Sequence, residues 1–290
     1  MNNNIRKSVL VTGGSEGLGF VIAAKYLKEG YDVVFIARNK KNLEKSFKIL
    51  SKYKMDDQKL IADQCDISKP NDCKKIFSKI KSELKNLDVL INNAGVFGPI
   101  GHLTKLSWNK FVNNININLL GTIYMCKLAI PLLSKIQNGN IINISGGGAA
   151  KPFPPLVCYA TGKAGLARFT EELAEDLKKN HIDVNMIAPG PLNTRFVDVA
   201  LKYGKENLGD ELYETILKIK ETGGSLERVA ELCFYISSKK CQGITGKFIS
   251  ARYDDWQNLH QRKKEIMKSE VYTMRRIDSF NVKKFSKLKL

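Results

Sequence analysis

A phenol and an ammonium group four residues apart are the side chains of this sequence best suited to moving a proton. They are Tyr159 and Lys163, in the run Tyr159-Ala160-Thr161-Gly162-Lys163, and residues at that spacing share one face of a helix. A cation about 5 Å from a phenol, at an effective dielectric constant of about 20, favours the phenolate by roughly 3 kcal/mol and lowers its pKa from about 10 by about two units. The pair therefore predicts general acid/base exchange of a proton with an alcohol or a carbonyl group. On its own, the spacing is also typical of an ordinary amphipathic helix.

A glycine-rich turn follows the first apolar run of the chain and reads TGGSEGLG over residues 12–19. Glycine permits positive φ and lets backbone N–H groups approach a ligand, and a helix N-terminus favours negative charge. The turn therefore predicts a site for a pyrophosphate. The candidate contact residues are Gly13, Ser15, Glu16, Gly17, Leu18 and Gly19. An ordinary strand-to-helix turn is the alternative, but the strand pattern before the turn and the helix pattern after it favour the phosphate site.

The end of the second apolar run indicates which nicotinamide cofactor fits. An acidic side chain there binds the ribose 2′-hydroxyl of NAD, whereas an arginine accommodates the 2′-phosphate of NADP. The sequence has Ala37-Arg38 at this point and no carboxylate. We therefore expect NADP(H) to be favoured over NAD(H), although Glu16 in the glycine-rich turn weighs mildly against a phosphate.

The elements that must position these groups follow from the hydrophobic pattern. Short apolar runs rich in β-branched residues alternate with longer amphipathic stretches, which is typical of βαβ units. Seven strands are predicted near residues 8–11, 32–36, 59–62, 88–91, 140–144, 183–187 and 247–250. Helical stretches such as 19–28, 41–52, 106–133 and 156–179 are long enough to make successive strands parallel. The prediction is an α/β fold with a doubly wound, seven-stranded parallel sheet.

Length and composition narrow the class of protein. The chain has 290 residues, which fits one large domain at roughly 100 to 200 residues per domain, with α/β folds running larger. Its 43% hydrophobic and 26% charged residues are typical of a globular protein. No apolar run approaches the roughly 18 residues of a membrane span, and the first residues are polar, so we expect a cytoplasmic protein with no membrane span. The six cysteines form no C-x-x-C pair and the three histidines lack metal-ligand spacing, so no disulfide framework and no metal site is predicted.

The charge is unusual, with 47 Lys and Arg against 29 Asp and Glu and a net charge of +18. Such a charge attracts anionic partners, but no DNA- or RNA-binding motif accompanies it, so nucleic-acid binding is not expected. The positive excess is locally strong over 251–290. We predict a catalytic, dinucleotide-binding domain over 1–250 and a basic C-terminal extension over 251–290, which either packs as an oligomer arm or is disordered. The less regular segment 191–224 is a candidate lid.

Further motifs, taken in order with those above, make the chain resemble the short-chain dehydrogenase/reductase family. The motifs are the turn at 12–19, Asp66-Ile67, Asn92-Asn93-Ala94-Gly95, Asn118-Leu119-Leu120-Gly121, the Tyr159 to Lys163 run, and Pro189-Gly190 with Thr194. The resemblance covers roughly residues 5–250 and implies a Rossmann-type sheet with bound NAD(P). It also implies that Tyr159 is the acid/base, that Lys163 holds the ribose and lowers the tyrosine pKa, and that Asn118 positions a proton-relay water.

The resemblance also assigns contacts with the cofactor. The implied contacts are Asp66 and Ile67 at the adenine, Asn93, Ala94 and Gly95 on the ribose side, and Pro189, Gly190 and Thr194 at the nicotinamide end.

Two features depart from the family pattern. The family normally has a serine thirteen residues before the tyrosine, where its hydroxyl orients the substrate carbonyl, and this position is Gly146. Ser145 is one residue early, and neighbouring strand residues point to opposite faces, so we expect it to substitute only if the turn over 146–148 re-aims the backbone. After the seventh strand, family members usually end on Asp-Gly-Gly, whereas this chain continues through Asp254 and Asp255 into its extension. The two acids line a polar substrate pocket, bind a partner subunit or belong to an amphipathic packing segment, and the packing segment is favoured.

The function predicted from these residues is hydride transfer between NADP(H) and a small carbonyl or secondary alcohol, with Tyr159 exchanging the proton. The polar loops favour a hydroxylated, sugar-like substrate, and the rigid segment around Phe153 is expected at the rim of the substrate site. The alternative is an NADP(H)-binding sensor or scaffold that lost efficient turnover through Gly146. The resemblance also implies a homo-dimer or homo-tetramer.

Overall fold

Seven strands form one parallel sheet in the computed structural model, which describes residues 6–84, 86–279 and 281. The strands are β1 (Ser8–Thr12), β2 (Asp32–Ala37), β3 (Leu60–Gln64), β4 (Val89–Asn92), β5 (Gly139–Ile144), β6 (Ile182–Ala188) and β7 (Phe248–Ser250). Their order is β3-β2-β1-β4-β5-β6-β7, with every neighbouring pair parallel. The predicted doubly wound sheet is confirmed. The strand order reverses between β1 and β4, and in such sheets ligands bind outside the carboxyl ends of the strands at this point.

Eleven α-helices connect or follow the strands in the described part of the chain. They are α1 (Gly17–Lys28), α2 (Lys40–Leu50), α3 (Pro70–Glu83), α4 (Trp108–Ile115), α5 (Thr122–Leu133), α6 (Val157–Asp176), α7 (Arg195–Leu201), α8 (Gly204–Leu208), α9 (Asp210–Thr222), α10 (Leu226–Ile236) and α11 (Lys263–Met267).

Alternate strand residues face two hydrophobic cores, one on each side of the sheet. Val9 and Val11 of β1 pack with helices α1 and α10. Leu10, between them, packs with α3, α5 and α6 on the other side. Since successive strand side chains point to opposite faces, both faces of a parallel sheet must be apolar and covered, which explains the nearly continuous apolar runs in the sequence.

The helix predicted over 106–133 is present but interrupted. A π-helical turn, Asn116–Gly121, joins α4 to α5. The whole run Trp108–Leu133 is apolar and long enough to cross a membrane by length and composition alone, and 44% of its most apolar window is buried inside the protein. The buried side chains of α5 belong to the core beneath the sheet, as expected of a helix that covers a parallel sheet.

The candidate lid over 191–224 is mostly helical. Helices α7, α8 and α9 pack around an apolar cluster that includes Val197, Leu208 and Ile216. Gly204 and Gly209 have positive φ, at +72° and +76°, where α8 begins and where the chain turns into α9. The irregular sequence pattern therefore reflects three short helices over the carboxyl end of the sheet.

The described part of the basic extension packs against the same chain. Trp256, Leu259 and Ile266 are buried in the core that also contains α1 and α10. The backbone N–H of Phe248 in β7 donates a 2.7 Å hydrogen bond to the carbonyl of Tyr272. The described residues 251–279 therefore pack against the rest of the chain and cover part of the β7 edge of the sheet.

Two charged residues hold this C-terminal segment. Lys247, only 4% exposed, donates hydrogen bonds of 3.1 Å from Nζ to the carbonyls of Ser269 and Val271. Glu171 in α6 accepts a 2.7 Å hydrogen bond from the N–H of Met274 and forms a 3.1 Å ion pair with Arg275. Part of the positive charge of the extension is thus paired with an acidic side chain of the same chain.

Candidate active site

A cavity of about 1110 Å³ opens at the carboxyl ends of the strands, and residues that follow all seven of them line it. This volume lies at the upper end of the roughly 300 to 1,000 Å³ of ordinary ligand pockets. The cavity is therefore large enough for an extended ligand.

Most of the side chains predicted from the sequence meet in this cavity. Those that line it are Gly13, Ser15, Glu16, Gly17, Leu18, Arg38, Asp66, Ile67, Asn93, Ala94, Gly95, Ser145, Tyr159, Lys163, Pro189, Gly190 and Thr194. Gly19 and Asn118 are absent from the lining of the described cavity.

The glycine-rich turn is packed against its own backbone. Gly13 has a φ of +64°, and a Cβ there would lie 2.9 Å from Cα of Ala94. A Cβ on Gly19 would lie 2.2 Å from the carbonyl oxygen of Gly13, so the close packing of the helix start against the turn requires glycine at position 19. Glu16, the N-cap of α1, makes no side-chain capping hydrogen bond among the described residues. The first N–H groups of α1 are therefore available to an anion, and this geometry fits a pyrophosphate.

Thr12 ties the turn to the end of β4. Its hydroxyl Oγ1 accepts hydrogen bonds of 2.9 Å from the N–H groups of both Asn93 and Ala94. The Asn93 amide in turn donates to the carbonyls of Thr12 and Gly13, at 3.0 and 3.2 Å. The two loops at the topological switch point are thus held in one rigid arrangement.

The end of the cavity that follows β2 and β3 carries the residues expected to determine whether NAD(H) or NADP(H) binds. The side chain of Arg38 is exposed and has no ion-pair partner among the described residues. Asp66 is half-buried and uses Oδ1 to accept from the N–H and the hydroxyl of Ser68, at 3.0 and 2.7 Å. Arg38 is therefore a cation open to an anionic ligand.

Glu16 is held by two neighbours instead of facing the cavity as a lone carboxylate. It forms a 3.1 Å ion pair with Arg195 at the start of α7 and accepts a 3.0 Å hydrogen bond from the amide of Asn42 in α2. All three residues line the cavity. These contacts partly offset its negative charge at the phosphate end.

Tyr159 and Lys163 lie side by side on α6 and are both almost completely buried, at 4% exposure each. Lys163 Nζ lies 5.8 Å from the centre of the Tyr159 ring and donates a 2.7 Å hydrogen bond to the carbonyl of Ile144. The Tyr159 hydroxyl has no hydrogen-bond partner among the described residues. The phenol is therefore free to bond a ligand in the cavity.

Burial shifts the proton affinity of both groups because a site away from water disfavours the charged form. It raises the pKa of the Tyr159 phenol above its usual value and lowers the pKa of Lys163 to about 8. The net shift of the Tyr159 pKa is therefore upward, opposite to the lowering expected from the lysine, and the effect of the ammonium on a phenolate formed during turnover stays a prediction. The physical reason is that desolvation is the cause of both shifts, while the Lys163 ammonium bonds to Ile144 and not to the phenol.

Comparison with known proteins identifies the family. A model of the short chain dehydrogenase family matches residues 7–202, more than half of the chain. The chain belongs to the short-chain dehydrogenase/reductase family. Members of this family are oxidoreductases that bind nicotinamide cofactors, and the resemblance inferred from the sequence is confirmed.

Individual relatives agree with this assignment. The chain is 28% identical over 246 residues to dehydrogenase/reductase SDR family member 4 of Sus scrofa, which covers 84% of this chain and 85% of that protein. Two solved structures share the fold. Actinorhodin polyketide ketoreductase with NADPH has a TM-score of 0.77 at 23% identity and covers 84% of this chain and 95% of its own. NAD⁺-bound xylitol dehydrogenase has a TM-score of 0.77 at 20% identity and covers 86% and 98%.

This short-chain dehydrogenase/reductase uses a glycine turn in place of the usual serine. A Cβ on Gly146 would lie 1.9 Å from the hydroxyl oxygen of Tyr159, and a Cβ on Gly147 would lie 2.6 Å from the ring of Phe153. A Cβ on Gly148 would lie 2.5 Å from Cβ of Ala160. We name residues 146–148 the glycine recess, because each glycine leaves space that another part of the chain occupies. Tyr159 thus fills the volume that a side chain at position 146 would need.

Ser145 reaches the cavity but is weakly placed. It lines the cavity, and its hydroxyl has a long 3.5 Å contact with the carbonyl of Gly146. Its backbone N–H donates to Ile187 at 2.8 Å, which keeps this residue in register with β6. The glycine recess therefore begins only after Ser145, at the position where the family has its serine.

Asn118 takes part in the structure beneath the cavity. Its amide donates to the carbonyl of Val96 at 2.8 Å and to the side chain of Asn114 at 2.7 Å, and its Oδ1 accepts from the N–H of Val96 at 2.9 Å. Asn118 is fully buried in the π turn. Its side chain therefore holds the loop that follows β4, and a proton relay would have to use its backbone.

The two acids after β7 do not line the cavity. Asp254 accepts a 2.6 Å hydrogen bond from the N–H of Ser250, and Asp255 accepts from the amide of Asn258 at 2.9 and 3.1 Å. Of the alternatives open for these acids, the structure fits the packing segment and not the polar pocket, because both carboxylates stabilise the turn that leads into the C-terminal segment. Tyr253, which is 76% exposed, lines the cavity in their place.

Sequence reasoning missed a set of apolar residues at the Tyr159 end of the cavity. They are Phe97, Phe196, Val197, Ala200, Leu212, Ile216 and Ile219. Leu212, Ile216 and Ile219 have the spacing of one helix face, and the two phenylalanines each follow a recognised motif by two residues. Those signals were present, but only the fold brings α7 and α9 over the sheet.

Proposed function

We propose that this protein is an NADP(H)-dependent oxidoreductase that transfers hydride between the nicotinamide and a small carbonyl or secondary alcohol. The observation that carries this proposal is the Tyr159 hydroxyl, which has no partner among the described residues and lies in the same cavity as the uncapped N-terminus of α1. Lys163 lies buried beside it. One cavity thus combines a site for a dinucleotide with a proton donor.

The bound nicotinamide supplies or accepts the hydride, and the residues of this chain handle the proton. In the direction of reduction, Tyr159 donates its phenolic proton to the carbonyl oxygen as that oxygen gains negative charge. A phenol with a pKa of about 10 or higher carries its proton at neutral pH. Burial raises the pKa of Tyr159 further and makes it a weaker acid, so donation needs a group that stabilises the phenolate. Lys163, protonated below about pH 8, stabilises the phenolate that remains.

Preference for NADP(H) over NAD(H) is part of the proposal. It is supported by Arg38, an exposed cation at the rim of the cavity near the end of β2, because an arginine there accommodates a 2′-phosphate. The ion pair of Glu16 with Arg195 reduces the negative charge that would oppose that phosphate.

A second candidate function is an NADP(H)-binding sensor or scaffold with little turnover. It is favoured by Gly146, since the loss of one hydrogen-bond donor at a developing oxyanion costs about 3 to 4 kcal/mol. For either function we propose a cytoplasmic protein that assembles as a homo-dimer or homo-tetramer, as members of the family often do.

The test is to follow NADPH absorbance with a panel of small aldehydes, ketones and diketones, and to titrate NADPH and NADH by fluorescence. We expect turnover of at least one carbonyl, tighter binding of NADPH than of NADH, and loss of turnover in Tyr159→Phe with cofactor binding retained. NADPH binding without turnover of any carbonyl would favour the sensor. Failure to bind either cofactor would contradict both functions.

A further inference from the structure

The Tyr159 end of the cavity is walled by aromatic rings. The ring centre of Phe97 lies 5.0 Å from that of Tyr159 and 5.6 Å from that of Phe196, and Phe196 lies 6.5 Å from Tyr159. Phe153 approaches from the opposite loop and lies against Gly147. We name Phe97, Phe153 and Phe196 the phenylalanine wall. The acid/base group is thus set among three rings that all line the cavity.

The lid helices continue this apolar surface. Val197 and Ala200 of α7 and Leu212, Ile216 and Ile219 of α9 line the same cavity. Apart from the Tyr159 hydroxyl, the side chains so far named on this side are hydrocarbon, and Thr215 and Lys151 add polar groups to the same lining. A ligand held among them loses contact with water on several sides.

Four charged side chains of the lid helices pair with one another outside the cavity. Asp198 of α7 forms a 3.3 Å ion pair with Lys220 of α9, and Lys205 lies 3.5 Å from Asp210. None of these four residues lines the described cavity. Arg195, which does line it, is paired with Glu16. These charges therefore join the lid helices or pair with the turn at 12–19.

The acidic residues that line the described cavity are Glu16 and Asp66, and both belong to the cofactor end. A compound with several hydroxyl groups needs a hydrogen-bond partner for each one that it buries. The glycine recess removes one more such partner, since position 146 carries no side chain. The walls of this end are thus mainly apolar and favour a substrate with an apolar body over one with several hydroxyl groups.

We propose that the substrate is a ketone carried on an apolar ring, with the ring against the phenylalanine wall and the carbonyl oxygen at the Tyr159 hydroxyl. This inference rests on the proposed function and names its substrate class. Phe153 is then a specificity-determining residue. Its ring is the part of the wall that lies on the glycine recess, because Gly147 has no side chain to hold it away.

The experiment compares three ketones with NADPH. Acetophenone carries an aromatic ring, dihydroxyacetone carries hydroxyl groups in its place, and 2,3-butanedione is a reactive carbonyl with almost no body to contact the wall. We expect kcat/KM for acetophenone to exceed that for dihydroxyacetone by at least about tenfold. We also expect Phe153→Ala to lower kcat/KM for acetophenone by about tenfold through KM, and to lower kcat/KM for 2,3-butanedione by a clearly smaller factor.

Phe47→Ala is the matched control, because Phe47 is an exposed phenylalanine on α2 outside the cavity. Thermal unfolding and NADPH affinity of each variant show whether it folds, and Phe153→Leu, which keeps an apolar side chain, should retain most of the preference. Equal or better turnover of dihydroxyacetone, with 2,3-butanedione reduced, would overturn the inference and leave the proposed function intact. Absence of turnover with all three ketones would instead count against the proposed function.

Discussion

Two glycine-rich turns bound the cavity, and they use their glycines in different ways. In the turn at 12–19, the missing side chains let backbone approach backbone, as where a Cβ on Gly19 would meet the Gly13 carbonyl at 2.2 Å. In the glycine recess at 146–148, the missing side chains make room for the Tyr159 hydroxyl and the Phe153 ring. One turn exposes N–H groups to an anion, and the other turn receives side chains of its own chain.

This difference shows why glycine in a motif has no single meaning. Under the proposed function, the first turn serves binding, and its glycines are required by the close approach of backbone to backbone. The second turn then serves chemistry, because its glycines leave the space in which the Tyr159 hydroxyl lies. A substitution in the first turn should therefore affect stability and cofactor binding, whereas a substitution in the second should affect turnover.

The largest effect is expected for Gly146→Ser. The new Cβ would lie 1.9 Å from the Tyr159 hydroxyl, so the phenol must move away from its place in the cavity. Because a positioned general acid contributes about 10² to 10⁴ in rate, we expect kcat to fall by at least about 10²-fold while NADPH affinity stays within about twofold. Steady-state kinetics and a fluorescence titration measure the two quantities. A rise in turnover would mean that a hydroxyl at this position is more important than the location of Tyr159.

For Gly17→Ala in the first turn we expect a loss of stability, in contrast to the loss of turnover expected for Gly146→Ser. Gly17 has a φ of +54°, and the nearest atom to its Cβ position is 3.7 Å away, so the cost is backbone strain without a clash. A side chain in this conformation costs about 1–2 kcal/mol, and we expect the free energy of unfolding in urea to fall by about that amount. Gly30→Ala is the control, since Gly30 has a φ of +84° and open space far from the turn. An unchanged unfolding free energy in both variants would contradict the argument from strain.

A smaller effect concerns the choice between NADPH and NADH at the cofactor end of the cavity, where the turn at 12–19 lies. We expect Arg38→Ala to weaken NADPH binding by about tenfold, which corresponds to about 1.4 kcal/mol, because a charge-assisted bond to the 2′-phosphate is lost. NADH binding should change less than twofold. Lys41→Ala, an exposed cation on α2, is the control. Equal losses for both cofactors would show that Arg38 acts on a part that they share.

The smallest effect is a change of kcat with pH, which arises at the Tyr159 end of the cavity beside the glycine recess. Lys163 has a lowered pKa of about 8, so its ammonium is present below that pH and is lost as the pH rises through it. Since the raised pKa of Tyr159 keeps the proton donor intact, we expect kcat for reduction to be constant up to about pH 7 and to fall several-fold between about pH 8 and 9.5. A profile of kcat against pH measures this, and Lys163→Arg, which keeps its charge, should remove the fall if it folds and binds NADPH. A wild-type rate that is level to pH 9.5 would rule out the role assigned to the ammonium.

The sheet and the cofactor end could be predicted because their signals are local. Each strand is a short apolar run, and the glycine-rich turn, Arg38 and Asp66 follow strands directly, so the parallel topology alone brings them together. The spacing of Tyr159 and Lys163 was likewise readable from one helix.

The substrate end could not be predicted, because it depends on residues far apart in the chain. Nothing in the sequence indicates that the Tyr159 hydroxyl lies against Gly146, or that the Asn118 side chain is hydrogen-bonded to the backbone of Val96. The raised pKa of Tyr159 follows from burial, which only the packed structure defines. The sugar-like substrate predicted from polar loops was drawn without α7 and α9, whose apolar residues line the cavity, and it stays a prediction that the proposed ketone test would decide.

The bond from Phe248 to Tyr272 and the burial of Lys247 have a consequence for the order in which the molecule is completed. The Lys247 ammonium has its carbonyl partners at Ser269 and Val271, which are synthesised more than twenty residues later. A nascent chain that ends before them would have to bury a cation without these acceptors or leave β7 undocked. The last strand of the sheet therefore gains its full stability only when the ribosome has made the C-terminal segment, and the cavity, which β7 helps to line, is finished at the same moment.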